Sequence, residues 1–247
     1  MSRPAPLIAA AAALVAILLT GCTPSAEVAE TAAPTVAPLQ ATATPTAEPA
    51  ERTAGQVAEA QGTEVVVYDA PGGSEVTRFA NPNPSGAPLV FLVEKAEQDG
   101  FIVQLPMRPN GSTGWIAASD VTLADLHYAL EVSTADRSVT LLEDGEVVQS
   151  FDAAIGTGDT PTPVGSYFLT ELLAPTNAGY GPYAYGISAF SDVLNSFGGG
   201  PGQIGLHGTD DGDSIGQAAS HGCIRLNNDD ITYLAGILPL GTPITIT

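Results

Sequence analysis

The chain has 247 residues, with 7 Lys and Arg against 27 Asp and Glu and a formal net charge of −20. That acid excess excludes nucleic acid and an anionic membrane face as electrostatic partners. A hydrophobic content of 44% excludes a wholly disordered chain, and two cysteines, Cys22 and Cys223, exclude a disulfide scaffold.

The N-terminus carries one cation, Arg3, then an apolar run of 13 residues from Leu7 to Leu19, then Thr20 and Gly21 before Cys22. This is the layout of a secretory signal peptide, with an apolar run short for a membrane span. Leu19-Thr20-Gly21-Cys22 resembles the lipobox of bacterial lipoproteins. The resemblance implies removal of residues 1–21 and lipidation of Cys22, so that the chain is extracytoplasmic and held to the membrane by its lipid. A secretory signal with a chance cysteine is the alternative. Residues 22–60 are Ala-, Thr-, Pro- and Glu-rich with few large apolar side chains. Such a segment buries too little surface to offset its ordering entropy and reads as a disordered tether.

Residues 61–124 form the next unit. Glu64–Tyr68, Pro88–Val93, Phe101–Leu105 and Gly114–Ala117 are short and rich in β-branched residues, with Gly, Pro and Asn between them. That rhythm predicts an all-β unit with tight turns. With its Gly-Trp-Ile-Ala-Ala-Ser-Asp-Val ending, it is similar to the SH3-like β-barrels of bacterial wall proteins. Trp115 reads as core, with a ligand-stacking surface as the alternative.

Residues 125–247 form the third unit. Strands are expected at Tyr128–Ser133, Ser138–Glu143, Glu146–Ile155, Gly165–Leu172, Gln203–His207 and Pro243–Thr247. Asp144-Gly145 is the best hairpin turn between them. One helix is expected, capped by Asn227 or Asn228, with Asp229 and Asp230 in its first turn and Pro239 beyond its end. The fold class is mainly β, a small barrel followed by a β-rich domain with one short helix. Tyr180, Tyr183 and Tyr185 lie among glycines and read as packing aromatics or as a lid over a site.

Two of the three histidines, His207 and His221, share one window with Cys223. A thiolate is a strong nucleophile and a nearby imidazole raises its population. Gly222 suggests a tight turn whose amides converge on an oxyanion. The same side chains could ligate zinc, although a fourth ligand is missing. Asp210-Asp211-Gly212-Asp213 lacks the ligand rhythm of a calcium loop and reads as a solvated turn. From Leu126 onward two bases, Arg137 and Arg225, face fourteen acids, a local formal charge of −12. Arg225 therefore reads as a cation that favours the thiolate or holds a substrate carboxylate, or as half of an ion pair with Asp229 or another acid.

His207 and Cys223 are 16 residues apart, and Ser220-His221-Gly222-Cys223 is intact. This pattern resembles the active-site motif of the L,D-transpeptidase catalytic domain (YkuD type), and Gly156-Thr-Gly-Asp-Thr-Pro-Thr-Pro163 resembles a turn of that family. The resemblance implies Cys223 as nucleophile, His207 as proton donor and acceptor, the Gly208 carbonyl as its orienting group, and His221 and Gly222 beside the oxyanion hole. Ser220, Arg225 and Tyr183 become candidate substrate-binding residues. The implied substrates are peptidoglycan stem peptides, joined at their third positions through a thioester on Cys223. No metal or organic cofactor is implied, and acylation of Cys223 by carbapenems is. An L,D-carboxypeptidase, with water as the acceptor, and a non-catalytic wall-binding lipoprotein are the alternatives.

Overall fold

A computed structural model describes residues 54–247. The signal segment, Cys22 and most of the tether lie outside the described residues. The N-terminal module contains β1 (Gln56–Ala60), β2 (Glu64–Tyr68), β3 (Glu75–Ala80), β4 (Val90–Glu97), β5 (Gly100–Gln104), β6 (Thr113–Ala117) and β7 (Val121–Asp125). They form one seven-stranded sheet in the order β3-β2-β6-β5-β4-β1-β7. Strand β2 shows why: its valines alternate, with Val65 and Val67 fully buried against Ala58, Phe91, Val103 and Ile116. Trp115 is core. It meets Tyr68 edge-on at 5.9 Å, and its Nε1 donates to the Glu97 carbonyl at 3.1 Å. Gly100 makes room for it, since a Cβ there would lie 2.4 Å from the indole.

The last residues of the expected tether are a strand. Gln56–Ala60, assigned to it on composition, pair with both β4 and β7 and bury Val57, Ala58 and Ala60. Buried Ala58 and Ala60 flank exposed Glu59, an alternation that composition alone hides.

The C-terminal module contains β8 (Tyr128–Ser133), β9 (Ser138–Glu143), β10 (Glu146–Asp152), β11 (Ile155–Gly156), β12 (Gly165–Leu173), β13 (Ala184–Phe190), β14 (Gln203–His207), β15 (Ala218–Ser220), β16 (Ile224–Arg225), α1 (Asn228–Ala235) and β17 (Pro243–Ile246). Eight of these strands form a sheet in the order β10-β9-β8-β17-β12-β13-β14-β16, and β11 pairs with β15. Asp144 and Gly145 close the β9–β10 hairpin with φ of 49° and 84°. Both lie in the left-handed region that a two-residue hairpin turn needs. The predicted strand Glu146–Ile155 is two elements: β10 stops at Asp152, Ala153 and Ala154 are buried, and β11 turns to pair with β15.

Strand β12 is buried on both faces, and its alternation divides two cores. Tyr167 and Leu169 join the main core with Ile231 and Leu234 of α1. Phe168 points the other way, into a cluster with Ala54, Val57, Val90, Leu92 and Leu126 that binds the two modules together. Full burial of each such side chain stabilises by about 1.5–3 kcal/mol as an upper estimate. A second inter-module contact is polar. Arg108, in the β5–β6 connection, donates to the carbonyls of Pro201, Ser191 and Leu194 at 2.8, 2.9 and 3.0 Å. Its guanidinium also sits 4.8 Å over the Phe190 ring.

Helix α1 carries Asp229 and Asp230 in its first turn, where acids complement the helix dipole. It ends at Ala235, before the predicted stop at Pro239, and Tyr185 closes it. The Tyr185 hydroxyl donates to the Leu234 and Leu238 carbonyls at 3.3 and 3.0 Å, and the residue is 1% exposed. Tyr185 is therefore part of β13 and the core, not of a lid.

Candidate active site

Strands β14 and β16 run parallel, pairing Leu206 with Ile224 and His207 with Arg225. That register places Cys223, just before β16, beside the end of β14, so the 16-residue spacing is the length of the loop between two neighbouring strands. Gly205 lies between the two functional side chains. A Cβ at Gly205 would stand 3.6 Å from His207 Cδ2 and 3.9 Å from Cys223 Sγ.

The Cys223 turn is held from below. Gly222 has φ +117°, open to glycine and strained for other residues. Ser220 Oγ accepts from the Gly222 amide at 3.1 Å and donates to the Cys223 carbonyl at 2.5 Å. Thr162 Oγ1 accepts from the Gly156 amide and donates to the Gly222 carbonyl, both at 2.9 Å. Thr160 Oγ1 donates to the Ser220 carbonyl at 3.4 Å. Two expectations change here. Ser220 is 1% exposed and its hydroxyl is occupied by the turn, so it is not a free substrate ligand. The Gly222 amide is likewise taken, by Ser220, and does not point into an oxyanion site. Among the described residues the Cys223 amide has no intrachain acceptor.

His207 is 4% exposed and lies 4.7 Å from the Tyr180 ring. Its Nδ1 donates to the Gly208 carbonyl at 2.6 Å. A carbonyl only accepts, so the ring proton resides on Nδ1 and Nε2 carries the free lone pair. Burial pushes the imidazole down to about 4, aided by the Arg225 cation and opposed by the Gly208 carbonyl. Burial also raises the Cys223 thiol above its ordinary value, against the Gly205 amide, which donates to Sγ at 3.4 Å, and against Arg225. Both shifts favour the neutral thiol and the neutral imidazole over an ion pair.

His221 is exposed and stacks on Phe197 at 5.2 Å. Arg225 stands 3.9 Å from Asp211 rather than pairing with Asp229, and its Nε is buried without a hydrogen-bond partner. Tyr183 is not at the site. It packs against the main core, and its carbonyl accepts from the Gly208 amide at 3.2 Å, which fixes the backbone that orients His207. Among the described residues no group of three or more His, Cys, Asp or Glu is placed to hold a metal.

Two clefts meet at Cys223. The wider, roughly 320 Å³, runs past Leu173, Tyr185, Gly186 and Ile204. The narrower, about 200 Å³, is lined by Ser220, His221 and Arg225. Tyr180, Phe197, His207 and Cys223 line both. A thiol open on two sides, beside an imidazole whose free nitrogen is fixed, is a geometry that suits two-step acyl transfer.

Residues 127–246 match the family model described as the L,D-transpeptidase catalytic domain. The match covers just under half of the chain, and this region is similar to that domain. The chain is 29% identical over 148 residues to the Bacillus subtilis protein YkuD, covering 58% of this chain and 83% of that one. The Bacillus licheniformis protein of the same name is 32% identical over 120 residues, covering 49% and 66%. An L,D-transpeptidase crystal structure from Mycobacterium tuberculosis H37Rv superposes with a TM-score of 0.44 at 17% identity, covering 64% of this chain and 90% of that one.

Thr160, Thr162, Gly205 and Phe197 are the site residues that sequence reasoning missed. The Thr160-Pro-Thr-Pro163 segment is visible in the sequence as a turn, but what the two threonines hold is set by a turn about 60 positions away.

Proposed function

We propose that this chain is an extracytoplasmic peptidoglycan L,D-transpeptidase. The observation that carries the reading is the His207–Gly208 contact beside Cys223, which leaves Nε2 as the base. In the first step the thiol adds to the carbonyl of the stem residue preceding the terminal D-alanine, and its proton passes to His207 Nε2. The Cys223 amide, free of other partners, faces the developing oxyanion. The C–N bond then breaks, the imidazolium returns the proton to the leaving amine, and a thioester remains. A side-chain amine of a second stem attacks that thioester and loses a proton to His207; the C–S bond breaks and the imidazolium returns the proton to the Cys223 sulfur. The energy of the broken amide is conserved, so no nucleotide is needed. Arg225, in the narrower cleft, suits the terminal carboxylate of the donor stem.

Removal of residues 1–21 and lipidation of Cys22 would hold the enzyme to the membrane, and the lipobox-like segment supports that reading. Among the described residues no helix is long and apolar enough to cross a membrane. The seven-stranded module, SH3-like in its strand rhythm, would face the wall. Carbapenems should acylate Cys223 as substrates do.

The test is Cys223→Ala with purified disaccharide-tetrapeptide. Wild type should release D-alanine and form dimers by mass spectrometry, and the variant neither. Dimers from the variant would overturn the assignment, and release without dimers from wild type would favour a carboxypeptidase.

A further inference from the structure

Glu171 is a carboxylate that the mechanism does not use. It lies on β12 opposite Gly186 of β13. Because residue 186 has no side chain, the carboxylate can lie over the strand: a Cβ at Gly186 would fall 2.3 Å from Glu171 Oε1. Gln203 Nε2 is 2.8 Å from the same point. However, that amide already donates to Thr170 Oγ1 and the Ile187 carbonyl at 3.0 and 3.1 Å, which uses both of its hydrogens. Asn83, from the N-terminal module, donates to Oε2 at 3.2 Å. Oε1 is left without a donor among the described residues.

Position gives this free oxygen a purpose. Of the residues lining the wider cleft, Glu171 alone is an Asp, Glu, Lys or Arg. It also lines a second cavity of about 350 Å³ between the modules, walled by Phe79, Pro84 and Phe190. Arg78, the cation of that cavity, is already paired with Glu64 and Glu75 at 2.9 Å each. The carboxylate therefore lines both the active-site cleft and the inter-module cavity, and among the described residues no cation is paired with it. In a cleft walled by Leu173, Pro175 and Ile204, such an oxygen favours a ligand that brings both positive charge and N–H donors.

We infer that Glu171 is a specificity-determining residue that binds the primary ammonium of a stem-peptide side chain. The inference rests on the transpeptidase reading above. Both the donor stem and the acceptor stem can present this group. Asn83 holds the carboxylate in place, so the N-terminal module completes the substrate cleft.

The experiment compares the full chain with Glu171→Gln, which keeps the size and the Asn83 contact while removing the charge, after thermal melting shows that both are folded. One arm measures D-alanine release from a tetrapeptide whose third-residue amine is free or acetylated. The other forms the acyl-enzyme from the acetylated donor and titrates an amine-bearing tripeptide acceptor. A lost charge-assisted contact predicts about a tenfold or larger fall in kcat/KM in one arm. In the donor arm, acetylation should reproduce that loss in wild type and add nothing to it in Glu171→Gln. In the acceptor arm, only the acceptor KM should rise. Unchanged kinetics in both arms, or equal losses on free and acetylated donors with an unchanged acceptor KM, would overturn the inference and leave the transpeptidase reading standing. A wild type that releases no D-alanine from either donor would sink that reading instead.

Discussion

The Nδ1 proton of His207 is held by the Gly208 carbonyl at 2.6 Å, inside a pocket that leaves the imidazole 4% exposed. Burial disfavours the imidazolium, so the ring remains a competent base until the pH approaches about 4. The acid limb of kcat/KM for D-alanine release should therefore reach half-loss near pH 4. A limb near the ordinary imidazole value of about 6.5 would show that burial does not lower the imidazole.

The same burial makes folding pH-dependent. Between about 4 and 6.5 the unfolded chain binds a proton at His207 that the folded chain does not. Stability is then fully present above pH 6.5 and is lost as the pH falls toward 4. A gap of that size corresponds to roughly 3 kcal/mol. Urea unfolding of wild type and His207→Gln at pH 7 and pH 4 isolates the contribution. The stability difference between the two proteins should move in the variant's favour by that order as the pH falls, and an unchanged difference would contradict the assignment.

Thr162 joins Gly156 to the Gly222 carbonyl through a single hydroxyl. Thr162→Val keeps the shape and leaves a buried amide and a buried carbonyl unpaired, at a cost of about 1–3 kcal/mol. Because the carbonyl belongs to the residue before Cys223, the acylation rate should fall by more than the Tm shift explains. Single-turnover acylation by a carbapenem, followed by intact mass, measures this under conditions where the variant is fully folded.

What could be read from sequence follows a physical division. Strands β8, β9 and β14 were legible to the residue because alternation and turn chemistry are local properties. The His207-to-Cys223 spacing was equally legible, because it spans the loop between two paired strands. Strand β13 was hidden: Ala184-Tyr-Gly-Ile-Ser-Ala-Phe190 is buried almost throughout, so it shows no alternation, and its tyrosine and glycine read as loop. Tyr183 and Ser220 show a related division. Their neighbours in sequence are at the site, while what they bind is set by tertiary contacts: the Tyr183 carbonyl accepts from the Gly208 amide, and Ser220 Oγ is used by the Gly222 amide and the Cys223 carbonyl. Thr162 and Glu171 act on partners brought near by the sheet, and no local pattern marks them.

Phe197 and Arg108 test whether the N-terminal module matters to catalysis. Phe197 lines both clefts and stacks on His221, and it lies in the 191–202 connection whose carbonyls Arg108 holds. Asn110 braces the same connection by donating to the Phe190 carbonyl at 2.7 Å and accepting its amide at 2.8 Å. Arg108→Ala removes three charge-assisted contacts and one cation–π contact, so the connection should loosen while the buried Phe168 cluster keeps the modules joined. We expect KM for the donor stem to rise several-fold with a smaller change in kcat. If Arg108 acts through Phe197, the double variant Arg108→Ala/Phe197→Ala should be no worse than Phe197→Ala alone in kcat/KM. Hydrogen exchange across 191–202 should increase in Arg108→Ala and remain unchanged in β8 and β9. Additive losses in the double variant would mean that Arg108 supports the fold without positioning the aromatic wall of the site.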